Sequence, residues 1–567
     1  MTNNNKLKLF LILTKDHRLH LCILLIMMIF SAIFEVFSIA LLLPLFDFLL
    51  NGNQSNYIFS KLDYLKNLIN FDSNSYLNFL IFLICFFFII KNIFTLIYKK
   101  FSANFFVFIN LYFQEKVLEK QLSQSFNFFL DKNSSEFINI FWNEIKFINS
   151  GLIQPVITIV FNIIIINFFI FFLIYTNLKV TLIVVLILLL FTFFFVNIFK
   201  KKFVYYGVER KKRNLLVLKL LKQTFEGIKE LKFFNKENIF RKIIKKNLTI
   251  ASNQAVSRTI ISSLPLILGE LFFVLAICFI ILTNSNVKAI LPMLGIYSIV
   301  IFRLMPHFNS LIRLYQDINY SKISTESLAS FLSIRSKIIK ARDNNKLIFY
   351  RSLKLKDIIF KYNQSILFDR LNLTINKNSC VGIIGNSGSG KTTLANIIAG
   401  FLEFSYGDIF LDKNKISIKN IDRYRNNFSY IQQKIFLFDE NLSTNITFEY
   451  DQLKIDQKKL ANIIDSLRLN ELMNRLDFND VGEYGAKLSG GQIQRIAIAR
   501  ALYRDSDILI FDESFSNLDH DNKKNILDIV NILKNKKTII IISHDSYVLR
   551  SCDVIYKIKN KKIYKQS

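Results

Sequence analysis

Glycine and proline are scarce in this 567-residue chain, at 16 and 5, and there is a single tryptophan. That rules out a Gly/Pro-rich linker or fibrous composition. Cysteine is sparse too: Cys22, Cys85, Cys278, Cys380 and Cys552 are scattered, and no two form a CxxC pair. The spacing disfavours a cysteine metal site or a disulfide framework, and the five are expected as small buried hydrophobes in a reducing compartment. Acidic residues are outnumbered, 43 against 73 Lys and Arg, for a formal charge of +30. Such a surplus can mark a nucleic-acid binder. Here no basic face with interleaved aromatics accompanies it, and the Lys, Asn, Ile and Phe excess runs through the whole chain as a compositional bias does. What is abundant is apolar, with 52% hydrophobic residues and 59 phenylalanines. Length and composition together imply domains of two unlike kinds.

A membrane-spanning helix needs roughly 20 apolar residues to cross about 30 Å of hydrocarbon. Six runs meet this, at about 19–50, 76–98, 153–175, 179–199, 260–283 and 289–312. The first is too long for a signal-peptide core and lacks a small-residue cleavage site, so it is expected to stay in the mature chain. Loop charge sets the orientation. Lys6, Lys8, Lys15 and Arg18 precede or open the first run, and 200–246 is dense in Lys and Arg, whereas 51–75 balances Lys61 and Lys66 against Asp63 and Asp72. The positive-inside bias places both termini and the long loops 99–152 and 200–259 in the cytoplasm. Those loops carry apolar residues at helical spacing (Phe106, Ile109, Phe113, Val117), so the second to fifth runs are expected to continue as helices beyond the membrane. A short amphipathic helix is expected over 51–75. The organisation read from the sequence is a transmembrane domain at 1–335, a charged linker at 336–350 and, at 351–567, strand-like runs between turn signals in an α/β pattern.

The α/β half carries the chemistry. Val381-Gly-Ile-Ile reads as a buried strand leading into Gly385-Asn386-Ser387-Gly388-Ser389-Gly390-Lys391-Thr392-Thr393, followed by the helical Leu-Ala-Asn-Ile-Ile-Ala. This is the spacing of a phosphate-binding loop, whose glycines let backbone N–H groups turn toward phosphates at a helix N-terminus. Lys391 offers a point charge to the outer phosphates and Thr392 a hydroxyl to Mg²⁺. Downstream, the apolar Ile508-Leu-Ile-Phe511 ends in Asp512-Glu513. Asp512 is placed to hold the metal, through water, and Glu513 to polarise an attacking water.

Between these lies Leu488-Ser489-Gly490-Gly491-Gln492, the signature of ATP-binding cassette proteins. Over essentially its full length the chain resembles a type IV ABC exporter. The resemblance implies six membrane helices with long cytoplasmic extensions, followed by a P-loop nucleotide-binding domain. It makes Tyr362 the adenine-stacking aromatic, Gln433 the residue sensing Mg²⁺ and water, and Glu483 part of the exporter contact loop. Ser516-Asn517-Leu518-Asp519 becomes the D-loop and His544 the switch histidine. Gln432 stands where the family has Pro, and Asp545 where it has Arg. In that family the loop of one cassette is completed by the signature of another, so one of each per chain implies a homodimer with two identical sites. Loop tips near 129–135 and 219–226 are expected to transmit ATP-driven motion, and the protein is expected in the bacterial inner membrane with its ATPase domain cytoplasmic.

Four ionisable residues fall inside the apolar runs: Glu35, Lys91, Glu270 and Arg303. Unless paired or facing water, each is costly there. Two readings stand. One is a basic girdle gripping a phosphate headgroup; the other is ion pairing between helices, Glu270 with Arg303 or Glu35 with Lys91. The stretches Phe34-Glu35-Val-Phe-Ser-Ile-Ala-Leu-Leu-Leu-Pro44 and Phe302-Arg303-Leu-Met-Pro306 resemble bacterial lipid-linked oligosaccharide flippases. That group's pattern implies further arginines near Leu266 and Ser310, for which Arg313 is the nearest substitute here. The alternatives are a generic exporter of lipid, drug or peptide and, more remotely, an ATP-gated regulatory membrane protein. A leader-peptide exporter is disfavoured because no peptidase domain precedes the first run. Six apolar runs exclude a soluble ABC ATPase.

Overall fold

A segment apolar on every face can hide its backbone polar groups from hydrocarbon only by bonding them internally, which makes it a helix. In the computed structural model, residues 18–42, 45, 73–130, 132–176, 178–283, 287–334, 345–362, 365–476, 481–516 and 520–566 are described. The chain forms two units, Met1–Gln124 with Lys132–Ser336, and Ser125–Asp131 with Lys337–Ser567.

The first unit is helical: α1 (Arg18–Ala40), α2 (Ser73–Leu122), α3 (Gln154–Thr176), α4 (Leu178–Glu226), α5 (Glu237–Thr283), α6 (Val287–Tyr320) and α7 (Lys322–Ser333). At 1.5 Å per residue the 50-residue α2 is about 75 Å long, more than twice a bilayer's hydrocarbon thickness. Among the described residues, Arg18–Ala40, Leu77–Leu122 and Ser134–Ile174 are long and apolar enough to cross a membrane. The runs 179–199, 260–283 and 289–312 each lie within a single helix, α4, α5 and α6. The helices extend beyond the apolar runs as expected, with finer local bounds. α1 ends at Ala40, and 43–44 and 46–50 lie outside the described residues. Within 99–152, α2 continues to Leu122, and two π-helical turns, Ile140–Glu144 and Asn149–Ile153, precede α3. Within 200–259, α4 continues to Glu226, at the expected loop tip, and Ile228–Phe233 forms a short helix before α5. The expected helix over 51–75 and most of the linker lie outside the described residues.

Close packing holds this unit together. Ala32 and Ile39 of α1, Ile165, Phe169 and Leu173 of α3, and Val300, Leu304 and Phe308 of α6 form one core. At Gly207 the backbones of α4 and α6 come so near that a Cβ would stand 2.1 Å from the carbonyl oxygen of Tyr320. Only glycine fits. A few residues along, Arg210 lies buried 3.4 Å over the Phe147 ring and 3.6 Å from Glu144, whose other oxygen accepts from Asn139 Nδ2 at 3.0 Å.

The second unit contains two sheets. One is antiparallel, in the order β2-β1-β4-β5, from β1 (Ser352–Tyr362), β2 (Ser365–Asn376), β4 (Tyr406–Leu411) and β5 (Asn414–Lys415). The other is six-stranded, in the order β10-β9-β3-β8-β7-β6. Its strands are β3 (Cys380–Gly385), β6 (Phe428–Ile431), β7 (Ile508–Asp512), β8 (Thr538–Ile542), β9 (Val554–Lys559) and β10 (Lys562–Gln566), parallel except at β10. β7 and β8 are buried at every position, as their unbroken Ile, Leu and Phe runs require of parallel strands covered on both faces. Ser125–Asp131 belongs to this unit: Phe126 packs on Phe401 with ring centroids 6.0 Å apart, and Arg425 covers the same ring at 5.7 Å.

Candidate nucleotide site and a polar cluster among the helices

Ligands of an open parallel sheet gather at the carboxyl ends of its strands, and three adjacent strands deliver the candidate residues there. β3 ends at Gly385, and the loop after it turns through Gly388 (φ +78) and Gly390 (φ +95) into α8 (Lys391–Ile398). Both glycines are in the left-handed region that side chains resist. Lys391 is buried, its Nζ donating to Gly385 O at 3.1 Å and Asn386 O at 3.2 Å. β8, beside β3, leads to His544, and β7 beyond it ends at Asp512, with Glu513 next in the chain.

Glu513 has φ +48, a strained backbone for a non-glycine residue, anchored by its N–H donating to Ile542 O at 2.9 Å. Three groups surround its carboxylate. Gln433 Nε2 donates at 3.2 Å, Lys391 Nζ stands 3.6 Å away and His544 Nε2 3.6 Å away. The acid is therefore held at the strand's end by partners from three other segments. Asp512 is different. It is 4% exposed, accepts from Thr392 Oγ1 at 3.2 Å and from the Tyr430 hydroxyl at 2.8 Å, and burial pushes its carboxyl up from the usual range. Burial and the adjacent carboxylate likewise push the Tyr430 phenol up. A buried carboxylate beside a threonine hydroxyl, with no cation bonded to it among the described residues, is a hard-oxygen donor set suited to Mg²⁺.

The structure thus brings Lys391, Thr392, Gln433, Asp512, Glu513 and His544 together. Signature residues do something else within the chain. Ser489 caps α9 (Gly490–Arg504) through a reciprocal box with Gln492, its N–H donating to Gln492 Oε1 at 2.9 Å and its Oγ accepting from Gln492 N at 3.3 Å. Among the described residues neither bonds to the phosphate loop. Tyr362, at the end of β1, is half exposed, Glu483 opens an exposed turn, and Asp519 lies outside the described residues. Sequence reasoning missed Tyr430. Its signal was faint, one tyrosine in a short apolar strand whose place beside β7 only the sheet order reveals.

Among the helices, one of the two expected pairings holds. Lys91 Nζ is 3.9 Å from Glu35, with side chains 9% and 14% exposed. Glu270 and Arg303 do not pair. Both are exposed in the chain, and Arg303 instead lies within electrostatic reach of Glu35 and Lys91. The cluster is larger than expected: His307 Nε2 is 3.9 Å from Glu35, His307 Nδ1 is 2.9 Å from Asn162 Oδ1, and Asn162 Nδ2 donates to Ser310 Oγ at 3.0 Å. Three basic side chains thus surround one carboxylate.

Two family models match the chain: the ABC transporter transmembrane region over 21–283 and the ABC transporter family over 368–516. An ATP-dependent lipid A-core flippase of Desulfotalea psychrophila is 25% identical over 80% of each chain. A multidrug resistance-like ATP-binding protein of Buchnera aphidicola is 32% identical over 40% of this chain and 39% of its own. The lactococcin-G-processing and transport protein of Lactococcus lactis is 31% identical over 59% of this chain and 48% of its own. A bacterial Atm1-family ABC exporter solved with ATP bound superposes with a TM-score of 0.80 at 18% identity, over 98% of this chain and 95% of that one, and so shares its fold.

Proposed function

The chain belongs to the ABC transporters, as an ATP-hydrolysing half-transporter of the type IV exporter kind, and from that premise we propose a homodimer that flips a lipid-linked oligosaccharide across the bacterial inner membrane. In this reading 1–335 is the membrane domain with six spans, 336–350 the linker and 351–567 the cytoplasmic ATPase, both termini lying inside. The observation that supports the dimer is the separation within one chain: Lys391 and Thr392 sit in the phosphate loop, while Ser489 and Gln492 cap a different helix through each other and, among the described residues, make no bond to that loop. A second copy, related by a two-fold axis, supplies the missing half of each site.

Roles follow from position. The backbone of 385–393 wraps the phosphates, and Lys391 leaves its parked bonds to Gly385 O and Asn386 O for the outer ones. Thr392 and Asp512, with Gln433, would hold Mg²⁺, which neutralises phosphate charge when bound. Glu513, already held by Gln433 and close to His544, takes the proton of the attacking water. Tyr362 stacks on adenine, and Asp519 with the partner's signature completes the site. Mixing Lys391→Ala chains with Ser489→Arg chains tests this. In the heterodimer one composite site carries both lesions and the other neither, so ATPase activity is expected to reappear; silence from proven heterodimers would refute the shared site.

For the cargo, relatives named lipid A-core flippases support a glycolipid, and the exposed Arg303 beside the Lys91–Glu35–His307 cluster supports an anionic headgroup. A planar guanidinium suits phosphate oxygens better than an ammonium does. Arg303→Ala is expected to keep the folded dimer and its basal ATPase while losing flipping of a pyrophosphate-linked lipid, with Arg303→Lys recovering part. Loss of thermal stability without a selective transport defect would remove Arg303 from the cargo site. Generic export of lipid, drug or peptide is the second reading, favoured by the multidrug resistance-like and lactococcin-G-processing and transport relatives.

A further inference from the structure

Cys380 and Cys552 are 172 positions apart in sequence, yet their Sγ atoms stand 3.6 Å from each other within the nucleotide-binding unit. A reciprocal pair of hydrogen bonds, one to a side chain and one between backbones, holds them there. Cys380 N donates to Asp553 Oδ2 at 2.8 Å, and Asp553 N donates to Cys380 O at 2.8 Å, clamping the start of β3 against the residue that follows Cys552. Gly382 makes the room, since a Cβ there would lie 3.2 Å from Cys552 Sγ. The two thiols are unequal. Cys380 is fully buried and Cys552 is partly exposed. Lys534, at the end of α10 (His520–Lys534), pairs with Asp553 and donates to Ser551 O at 3.1 Å, placing an ammonium beside the pair. The hydrogen bond from Cys380 and the Lys534 charge both favour the Cys552 thiolate, whose pKa is lowered, while the same bond and burial push the Cys380 thiol up.

We propose that Cys380 and Cys552 form a reversible modification site, a dithiol that low-molecular-weight disulfides such as oxidised glutathione convert to an intrachain disulfide. The partly exposed Cys552 thiolate attacks one sulfur of the oxidant, forming a mixed disulfide and releasing one glutathione thiolate. Cys380, giving up its proton, then attacks Cys552 Sγ and displaces the second glutathione. Two protein thiols are oxidised, the oxidant's disulfide is reduced to two thiols, and the two cysteine protons end on those thiols. The bond staples the base of β3, the strand that runs into the phosphate loop, to the chain entering β9. It spares Cys552 the irreversible steps of the thiol oxidation ladder. Because β3 and β9 are already paired from Val381 and Val554 onward, the staple leaves the nucleotide site in place.

The test uses full-length protein in detergent, treated with oxidised glutathione, alkylated, digested and analysed by mass spectrometry. A peptide joining Cys380 to Cys552 is expected to dominate and to disappear with dithiothreitol. The unfolding midpoint of the nucleotide-binding unit is expected to rise by roughly 5–10 °C, because the closed loop is long. ATP turnover is expected to stay within about twofold. Cys552→Ser, or Cys552→Ala if the hydroxyl disturbs folding, removes both the cross-link and the rise. Cys380→Ser traps Cys552 as its glutathione adduct, which separates attacking from resolving thiol. Recovery of both cysteines singly alkylated would overturn the proposal. So would pairing of either one with Cys22, Cys85 or Cys278, or a Cys552 adduct that persists beside an intact Cys380.

Discussion

The two units bury charge in opposite ways. In the nucleotide-binding unit the reactive groups stand at the ends of adjacent parallel strands, within a few residues of a local element that aims them: Lys391 after β3, Asp512 and Glu513 at β7, His544 after β8. In the helical unit Glu35, Lys91, Asn162, His307 and Ser310 come from four helices and touch only because those helices pack. A chemical site built on one sheet edge is written into short motifs. One built between helices is written nowhere locally, and each residue alone looks like an isolated polar intrusion in an apolar run.

The largest effect expected from either unit lies at Glu513. Glu513→Gln should retain ATP binding and lose turnover by about 10²–10⁴-fold, read by phosphate release against nucleotide affinity. Hydrolysis within a few-fold of the parent would take the base role from it. In the helical unit the largest effect belongs to backbone contact rather than charge. Gly207→Ala should destabilise the folded protein by roughly 3 kcal/mol or more, seen as a drop in thermal midpoint in detergent, because the new Cβ meets a backbone carbonyl that cannot swing aside.

Next in size is the Glu35–Lys91 pair. Glu35→Gln alone leaves Lys91 buried near Arg303 without its counter-charge and should cost roughly 3 kcal/mol, whereas Glu35→Gln with Lys91→Gln should recover most of that. Equal losses in single and double variants would mean the ions do not act as a pair. The smallest effect sharpens the contrast from the other side. The carboxyl of Asp512 has a pKa raised above its unfolded value, so its contribution to folding is present below the usual carboxylate pKa and is lost as pH rises through the raised one. Asp512→Asn, neutral at every pH, should therefore raise the midpoint of the nucleotide-free protein at pH 7 by at most a few degrees, while abolishing the extra stabilisation from ATP with Mg²⁺. A lower nucleotide-free midpoint would mean that the hydrogen bonds from Thr392 and Tyr430 outweigh the burial of its charge.

Legibility followed the same division. The phosphate loop, the strand ending in Asp512-Glu513 and the partners Gln433 and His544 were all readable, because each sits at a defined step from a strand or within a family motif. Tyr430 was not, because its partner depends on which strand lies next to β7. Of the two ion pairs open to the sequence, Glu35–Lys91 formed and Glu270–Arg303 did not. Spacing along a helix tells which residues share a face, but not which helix that face meets. The loop tips near 129–135 and 219–226 were legible as interruptions of the long helices, whereas the two π-helical turns at Ile140–Glu144 and Asn149–Ile153 were not.

What the sequence determined by itself was everything set by composition and by short-range geometry. Runs of about 20 apolar residues dictate membrane helices because unbonded backbone is too costly in hydrocarbon, and glycines at fixed steps before Lys391 dictate a phosphate loop because only they turn the backbone inward. The tertiary structure decided the contacts between distant segments. It set Lys91 beside Glu35 and His307, joined Phe126 to Phe401, admitted only glycine at 207, and brought the scattered Cys380 and Cys552 to 3.6 Å. Such contacts depend on strand order and helix packing, which are settled by the burial of whole faces at once and leave no mark at any single position.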